Sequence, residues 1–211
     1  TLLIFLGIFL FVFLFLGKDG ASLLLSPGDS RLIDFSSSCR QITISGNSKT
    51  TSATLYLVTE TPPLTKQDAF TIEHTSLKID QSNYEYWQYF LFPDSHFNMT
   101  VCSNSELNTQ FYIIKGSKEF KKWTKGKNVK NEAFLNVINS CSDMHQLGFT
   151  ASDKDEHYFV FHNPTTYAVN INLRMTFERY LPSPPFYEVP SCSTSSTGSC
   201  TLQVPTDQSY R

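Results

Sequence analysis

Val169, Ile171, Leu173, Met175 and Phe177 recur at strict period two, with Asn170, Asn172, Arg174 and Thr176 between them. That pattern predicts a β-strand with one buried and one wet face, spanning residues 167–177. Shorter runs of β-branched and aromatic residues precede it, each broken from the next by polar turn residues: 40–45 (RQITIS), 53–59 (ATLYLVT), 71–79, 86–92 (YWQYFLF), 97–102 (FNMTVC), 110–115 (QFYIIK), 133–139 (AFLNVIN) and 157–162 (HYFVFH). In the last of these Tyr158 and Val160 alternate with Phe159 and Phe161, so both faces are apolar, as in a central strand covered on both sides. Helical spacing is found only over 118–125, through Phe120 and Trp123. Nine strand-like runs and so little helix predict an all-β fold, an antiparallel β-sandwich of about eight to ten strands. Two successive sandwich-like halves meeting near 116–131 are the alternative arrangement.

The pattern changes at both ends. Residues 2–17 are uncharged and carry five Phe among Leu and Ile. As a helix they span roughly 25 Å, a little short of the roughly 30 Å hydrocarbon core, so a few apolar residues upstream of Thr1 are expected to complete a membrane crossing. The alternative is the core of a cleaved signal peptide, but the run is long for one and Gly17-Lys18-Asp19-Gly20 makes a weak cleavage site. Both readings export the rest of the chain. The expected organisation is a transmembrane helix over 1–17, a connector over 18–30 ending on Ser26-Pro27-Gly28-Asp29, an extracytoplasmic sandwich over 31–181, and a Pro/Ser/Thr-rich segment over 182–211. Pro182-Ser183-Pro184-Pro185 cannot continue a central strand, so the tail is expected to be extended, with a disulfide loop and the character of a stalk.

Composition narrows the chemistry. Charged residues are 17% and aromatics 14% of the chain, which excludes disorder over most of its length. Cys192 and Cys200 flank a polar loop of Ser, Thr and Gly that cannot fix its own shape, and a disulfide is the natural closure. Cys39, Cys102 and Cys141 leave one further pair and one odd thiol; the sequence does not select the pair, and Cys102 with Cys141 is the preferred one. The sequon at Asn98-Met99-Thr100 fits N-glycosylation in the same oxidising compartment, luminal or extracellular, whereas Asn163-Pro164-Thr165 is blocked by its proline. The five His occur in no metal-ligand spacing, no nucleophile elbow surrounds a Ser, and no glycine-rich phosphate loop occurs, so neither a catalytic site nor a metal or other cofactor is expected.

Net charge is −2, yet residues 115–130 hold seven Lys against Glu119, about +6, leaving about −8 elsewhere. Lys118, Lys121, Lys122, Lys125 and Lys127, interleaved with Phe120 and Trp123, form a candidate basic surface for anionic lipid or glycan. The plainer reading is a solvated segment whose two aromatics dock on the sandwich. Nucleic acid is not an expected partner in this compartment. Residues 84–90 hold the densest aromatic cluster; Tyr86 and Phe90 fall on one face, Trp87 and Tyr89 on the other. One face is expected in the core, and Trp87, Tyr89 and Trp123 are the candidate contact aromatics.

Several segments carry a family resemblance. Pro27-Gly28-Asp29-Ser30-Arg31, Tyr86-Trp87, Phe111-Tyr112-Ile113-Ile114-Lys115-Gly116 leading to Trp123, and Tyr158-Phe159-Val160-Phe161-His162-Asn163 together resemble the extracytoplasmic region of the APD (aberrant pollen development) family of membrane RING ubiquitin ligases and its animal relatives. The resemblance implies a β-rich region between two transmembrane helices, the first being 2–17, with the second helix and a RING expected beyond Arg211. None of these motifs is catalytic, and no ligase residue carries over. The sequence therefore predicts a non-catalytic, membrane-anchored binding or assembly module that meets another protein or its own copies. The alternative is the luminal sensory domain of a membrane RING ligase.

Overall fold

The computed structural model describes residues 39–45, 53–66, 69–103, 108–137, 141, 144–183, 191–194 and 198–204. The expected leading helix and connector lie outside these residues; among the described ones no helix is long and apolar enough to cross a membrane. The described chain is mostly antiparallel sheet. In order it forms β1 (Gln41–Ser45), β2 (Ala53–Tyr56), β3 (Leu64–Lys66), β4 (Phe70–Ile79), β5 (Tyr84–Leu91), β6 (His96–Ser103), β7 (Thr109–Lys115), a short helix α1 (Ser117–Trp123), β8 (Ala133–Val137), β9 (His145–Thr150), β10 (Asp155–His162), β11 (Val169–Glu178), β12 (Tyr180–Pro182), β13 (Ser191–Thr194) and β14 (Ser199–Gln203).

Two four-stranded sheets, ordered β5-β10-β7-β8 and β4-β11-β6-β9, share one core. The period-two residues of β11 supply it: Val169, Ile171, Leu173, Met175 and Phe177 are all buried. Aromatic contacts run from sheet to sheet. Phe97 of β6 meets Phe159 of β10 at 4.5 Å between ring centroids and Phe111 of β7 at 6.1 Å; Phe177 of β11 meets Tyr89 of β5 at 4.8 Å. Each of these four phenylalanines is fully buried and contributes about 1.5–3 kcal/mol through removal from water, and the aromatic pairs add about 0.5–1.5 kcal/mol. All nine expected strands are present, and the two halves do not separate, because β10 and β11 from the second half are the centres of both sheets.

β10 has Phe159 and Phe161 in the inter-sheet core, while Tyr158 and Val160 form a second buried cluster on the outer face, under α1. The double-sided apolar pattern has this cause: the strand is central in its sheet and covered by a helix.

The tail differs from the expected lone extended segment, because its strands pair with the start of the domain. Gln41 faces Gln203, Leu55 faces Cys192, Thr65 faces Leu181 and Ile79 faces Val169. Residues 41–79 and 169–203 thus pair in a single antiparallel order, and the Val204 N–H donates to the Arg40 carbonyl at 2.9 Å beside the two ends of the described chain. β13 and β14 are polar, so backbone hydrogen bonds and cross-strand hydroxyls such as Thr43 to Thr201 at 2.9 Å hold them. Disulfides link Cys102 to Cys141 and Cys192 to Cys200, the two pairs read from the sequence, leaving Cys39 as the free thiol.

Candidate binding site

α1 is set by glycines on both sides. Gly116 adopts φ 83° and donates its N–H to the Glu156 carbonyl at 2.8 Å; Gly126 adopts φ 69° and donates to the Trp123 carbonyl at 2.9 Å. Both conformations strain an L side chain and are open to glycine. Between them the chain makes one amphipathic helix across the outer face of the β5-β10-β7 sheet. Phe120 stacks on Tyr158 of β10, centroids 4.1 Å apart and planes 8° apart, and touches Tyr86 of β5 at 4.8 Å. Trp123 stands edge-on to Tyr84 at 5.1 Å and to His162 at 5.6 Å, and meets Tyr112 at 5.6 Å.

Lys118, Lys121, Lys125 and Lys127 are exposed. Lys122 is half-buried and paired with Glu119 at 2.6 Å, so the basic surface is carried mainly by the other four. Docked aromatics and outward lysines coexist in one short element. The docked-aromatic reading describes the inward side, and the basic-surface reading refers to the outward one.

Strand register gathers residues distant in sequence beneath Trp123. His162 faces Tyr84 on one side and Gln110 on the other; Val160, two residues along, faces Tyr86 and Tyr112. Gln110 Oε1 accepts from the Tyr112 hydroxyl at 2.8 Å and lies 3.2 Å from His162 Nδ1. With Nδ1 donating to that oxygen, the neutral ring keeps Nε2 as an acceptor. Burial holds the His162 pKa below the ordinary histidine value and raises that of Tyr112. Between these rings, the end of α1 and residues 124–131 lies a cleft of about 420 Å³, into which Lys127, Asn128 and Asn131 also face.

The remaining candidates fall elsewhere. Trp87 and Tyr89, both partly buried, pack against the inter-sheet core, Trp87 edge-on to Phe161 at 6.0 Å and Tyr89 at 4.8 Å from Phe177. The face of β5 turned to α1 carries Tyr84 and Tyr86, with Tyr86 42% exposed. Alternation separated the two faces correctly; which face met the other sheet depends on strand order, which alternation does not encode. Asn98 is exposed on β6 opposite Gly148, where a Cβ would stand 3.3 Å from Asn98 Oδ1. Asn163 is fully buried, its Nδ2 donating to the carbonyls of Ile79 and Asp80 at 3.1 Å and Tyr167 at 2.7 Å. His157, on the face of β10 opposite His162, packs against Phe149 at 5.5 Å. Among the described residues no group of three His, Cys, Asp or Glu could hold a metal ion.

Residues 50–120 match the family of the N-terminal region of the E3 ubiquitin-protein ligase APD1-4. The APD resemblance carried by Tyr86-Trp87 and the 111–116 run is borne out over this stretch. It covers Tyr84 and Tyr112 of the cleft and Phe120 of α1, whereas Trp123, Lys127 and His162 lie past it. No curated protein matches the chain. Tyr84, Tyr112 and His162 were not legible as site residues. Aromatic alternation in 84–90 and 110–115 marked each strand, but only register brings these rings together.

Proposed function

We propose that residues 39–204 form a non-catalytic recognition domain on the extracytoplasmic side of a membrane, as part of a ubiquitin ligase of the APD type whose catalytic portion lies elsewhere in the protein. The match of residues 50–120 to the APD N-terminal region carries this reading. Geometry supports it. The hydrogen bond from Val204 to Arg40 puts the domain's entry and exit side by side, the connection needed by a domain inserted between two membrane crossings. Two disulfides and an exposed Asn98 fit an oxidising, glycosylating compartment.

The test uses the intact parent protein in native membranes, supplied with ubiquitin-activating and ubiquitin-conjugating enzymes. Ubiquitin conjugates are expected, and they persist when Lys118, Lys121 and Lys125 are changed to Glu. An intact preparation that forms no conjugates contradicts the ligase assignment, and loss of conjugation in the triple variant contradicts a non-catalytic domain.

Self-association is the second reading, favoured by β8 at an open sheet edge with Phe134 47% exposed. A Phe134→Lys variant that sediments as a smaller species than the parent supports it; identical sedimentation removes it.

A further inference from the structure

The cleft beneath Trp123 has a lining with its own chemical signature. Tyr84, Tyr112 and Trp123 supply ring surface, Asn131 an amide, His162 an imidazole and Lys127 an ammonium group. Among the described residues no carboxylate side chain lines it. An aromatic cage for a cationic ligand draws on ring faces and gains from a nearby anion, and a lysine in the wall opposes it. A purely apolar ligand leaves the amide, imidazole and ammonium groups without partners as it excludes water. Aromatic faces beside neutral hydrogen-bonding groups instead suit a ring that has apolar C–H faces and a rim of hydroxyls.

We propose that this cleft binds an anionic saccharide, with a pyranose ring against Trp123 and its tyrosine neighbours and a carboxylate or sulfate group at Lys127. The inference rests on the recognition reading above and names its ligand class. About 420 Å³ accommodates one to two sugar rings, at the small end of ligand clefts. Gln110 fixes the Tyr112 hydroxyl and the His162 ring, so these two groups are positioned before a ligand arrives. The exposed lysines at 118, 121 and 125 lie on the adjoining helix and the turn after it and extend the positive potential beyond the cleft, favouring a polyanionic chain.

The chain has two tryptophans, and Trp87 is packed against the core, so Trp87→Phe leaves Trp123 as the sole indole reporter. The full chain in detergent micelles is titrated with trigalacturonate, a heparin-derived tetrasaccharide, neutral galactotriose and phosphatidylserine vesicles while Trp123 emission is followed. The anionic saccharides are expected to shift the emission and to bind about tenfold or more tightly than galactotriose, with affinity falling as salt rises. Response to trigalacturonate alone assigns a carboxylate ligand, and response to the tetrasaccharide alone assigns a sulfated one. Lys127→Gln, at an exposed position that folding tolerates, weakens binding about fivefold or more. Binding to vesicles alone overturns the saccharide assignment and leaves the recognition domain standing. Silence toward all four probes, or saccharide binding unaffected by Lys127→Gln, overturns the cleft as the site, while the ligase reading is decided independently by the conjugation assay.

Discussion

The Phe120 ring lies on that of Tyr158, with 4.1 Å between centroids and 8° between planes. This contact fastens α1 to the central strand of its sheet, and α1 in turn supplies Trp123 to the cleft. A seven-residue helix is too short to be stable alone, so its helicity depends on that docking. Phe120→Ala is predicted to cost about 2 kcal/mol, less than the loss of a fully buried Phe, because the ring is only half-buried. Chemical denaturation measures the loss. Hydrogen exchange should show the α1 amides deprotected while those of β11 remain slow.

Asn163 is a structural staple at the β10–β11 connection. It donates to three carbonyls and accepts from the Thr165 N–H at 3.0 Å and the Thr165 hydroxyl at 2.7 Å. Asn163→Ala removes all of these bonds at a fully buried position, and a loss of about 2–4 kcal/mol is expected. Asn163→Asp is no rescue, since a carboxylate cannot donate. A melting temperature unchanged by Asn163→Ala would contradict this role.

How much of the fold was readable in advance depended on whether the signal was local. β11 declared itself through Val169 to Phe177, and β10 through aromatics on both faces, because burial imprints a period on the residues themselves. β13 and β14 left no such imprint: Ser191–Thr194 and Ser199–Gln203 are strands by virtue of pairing with β2 and β1. β9 was hidden because Gly148 interrupts an already short apolar alternation. The cleft was least legible of all, since Tyr84, Tyr112 and His162 meet only through the register of three strands.

Acid should weaken the fold. Burial, the largest influence, lowers the His157 pKa below the ordinary 6.5; its hydrogen bond to the Asp155 carbonyl and the charges of Asp155 and Glu132 act in the opposite sense, and Lys115 reinforces burial. Unfolded chains therefore bind the proton more readily. Stability is full above about pH 6.5 and is lost as pH falls through that value toward the folded-state pKa. His162, lowered by burial as well, adds to the same trend. Denaturation midpoints measured from about pH 7.5 down to about pH 5.5 should decline, and decline less steeply in His157→Gln. Equal slopes in both proteins would assign the acid sensitivity to other groups.

The Cys102–Cys141 bridge closes a 39-residue separation, joining β6 to the segment that leads from β8 to β9. Replacing both cysteines by Ser is expected to cost about 2–5 kcal/mol, largely by freeing the unfolded chain. The Cys192–Cys200 loop is much shorter, a separation of 8, so its removal should cost less. Paired denaturation curves for the two double variants give the order directly.

The proposed extracytoplasmic placement of the domain is tested most directly by protease protection of the full-length protein in sealed microsomes, read together with glycosidase treatment. Residues 39–204 are predicted to stay intact until detergent is added, and to carry a sugar that glycosidase removes and Asn98→Gln prevents. Digestion of the domain in sealed vesicles, with Asn98 unmodified, would place it on the cytosolic face and contradict the account.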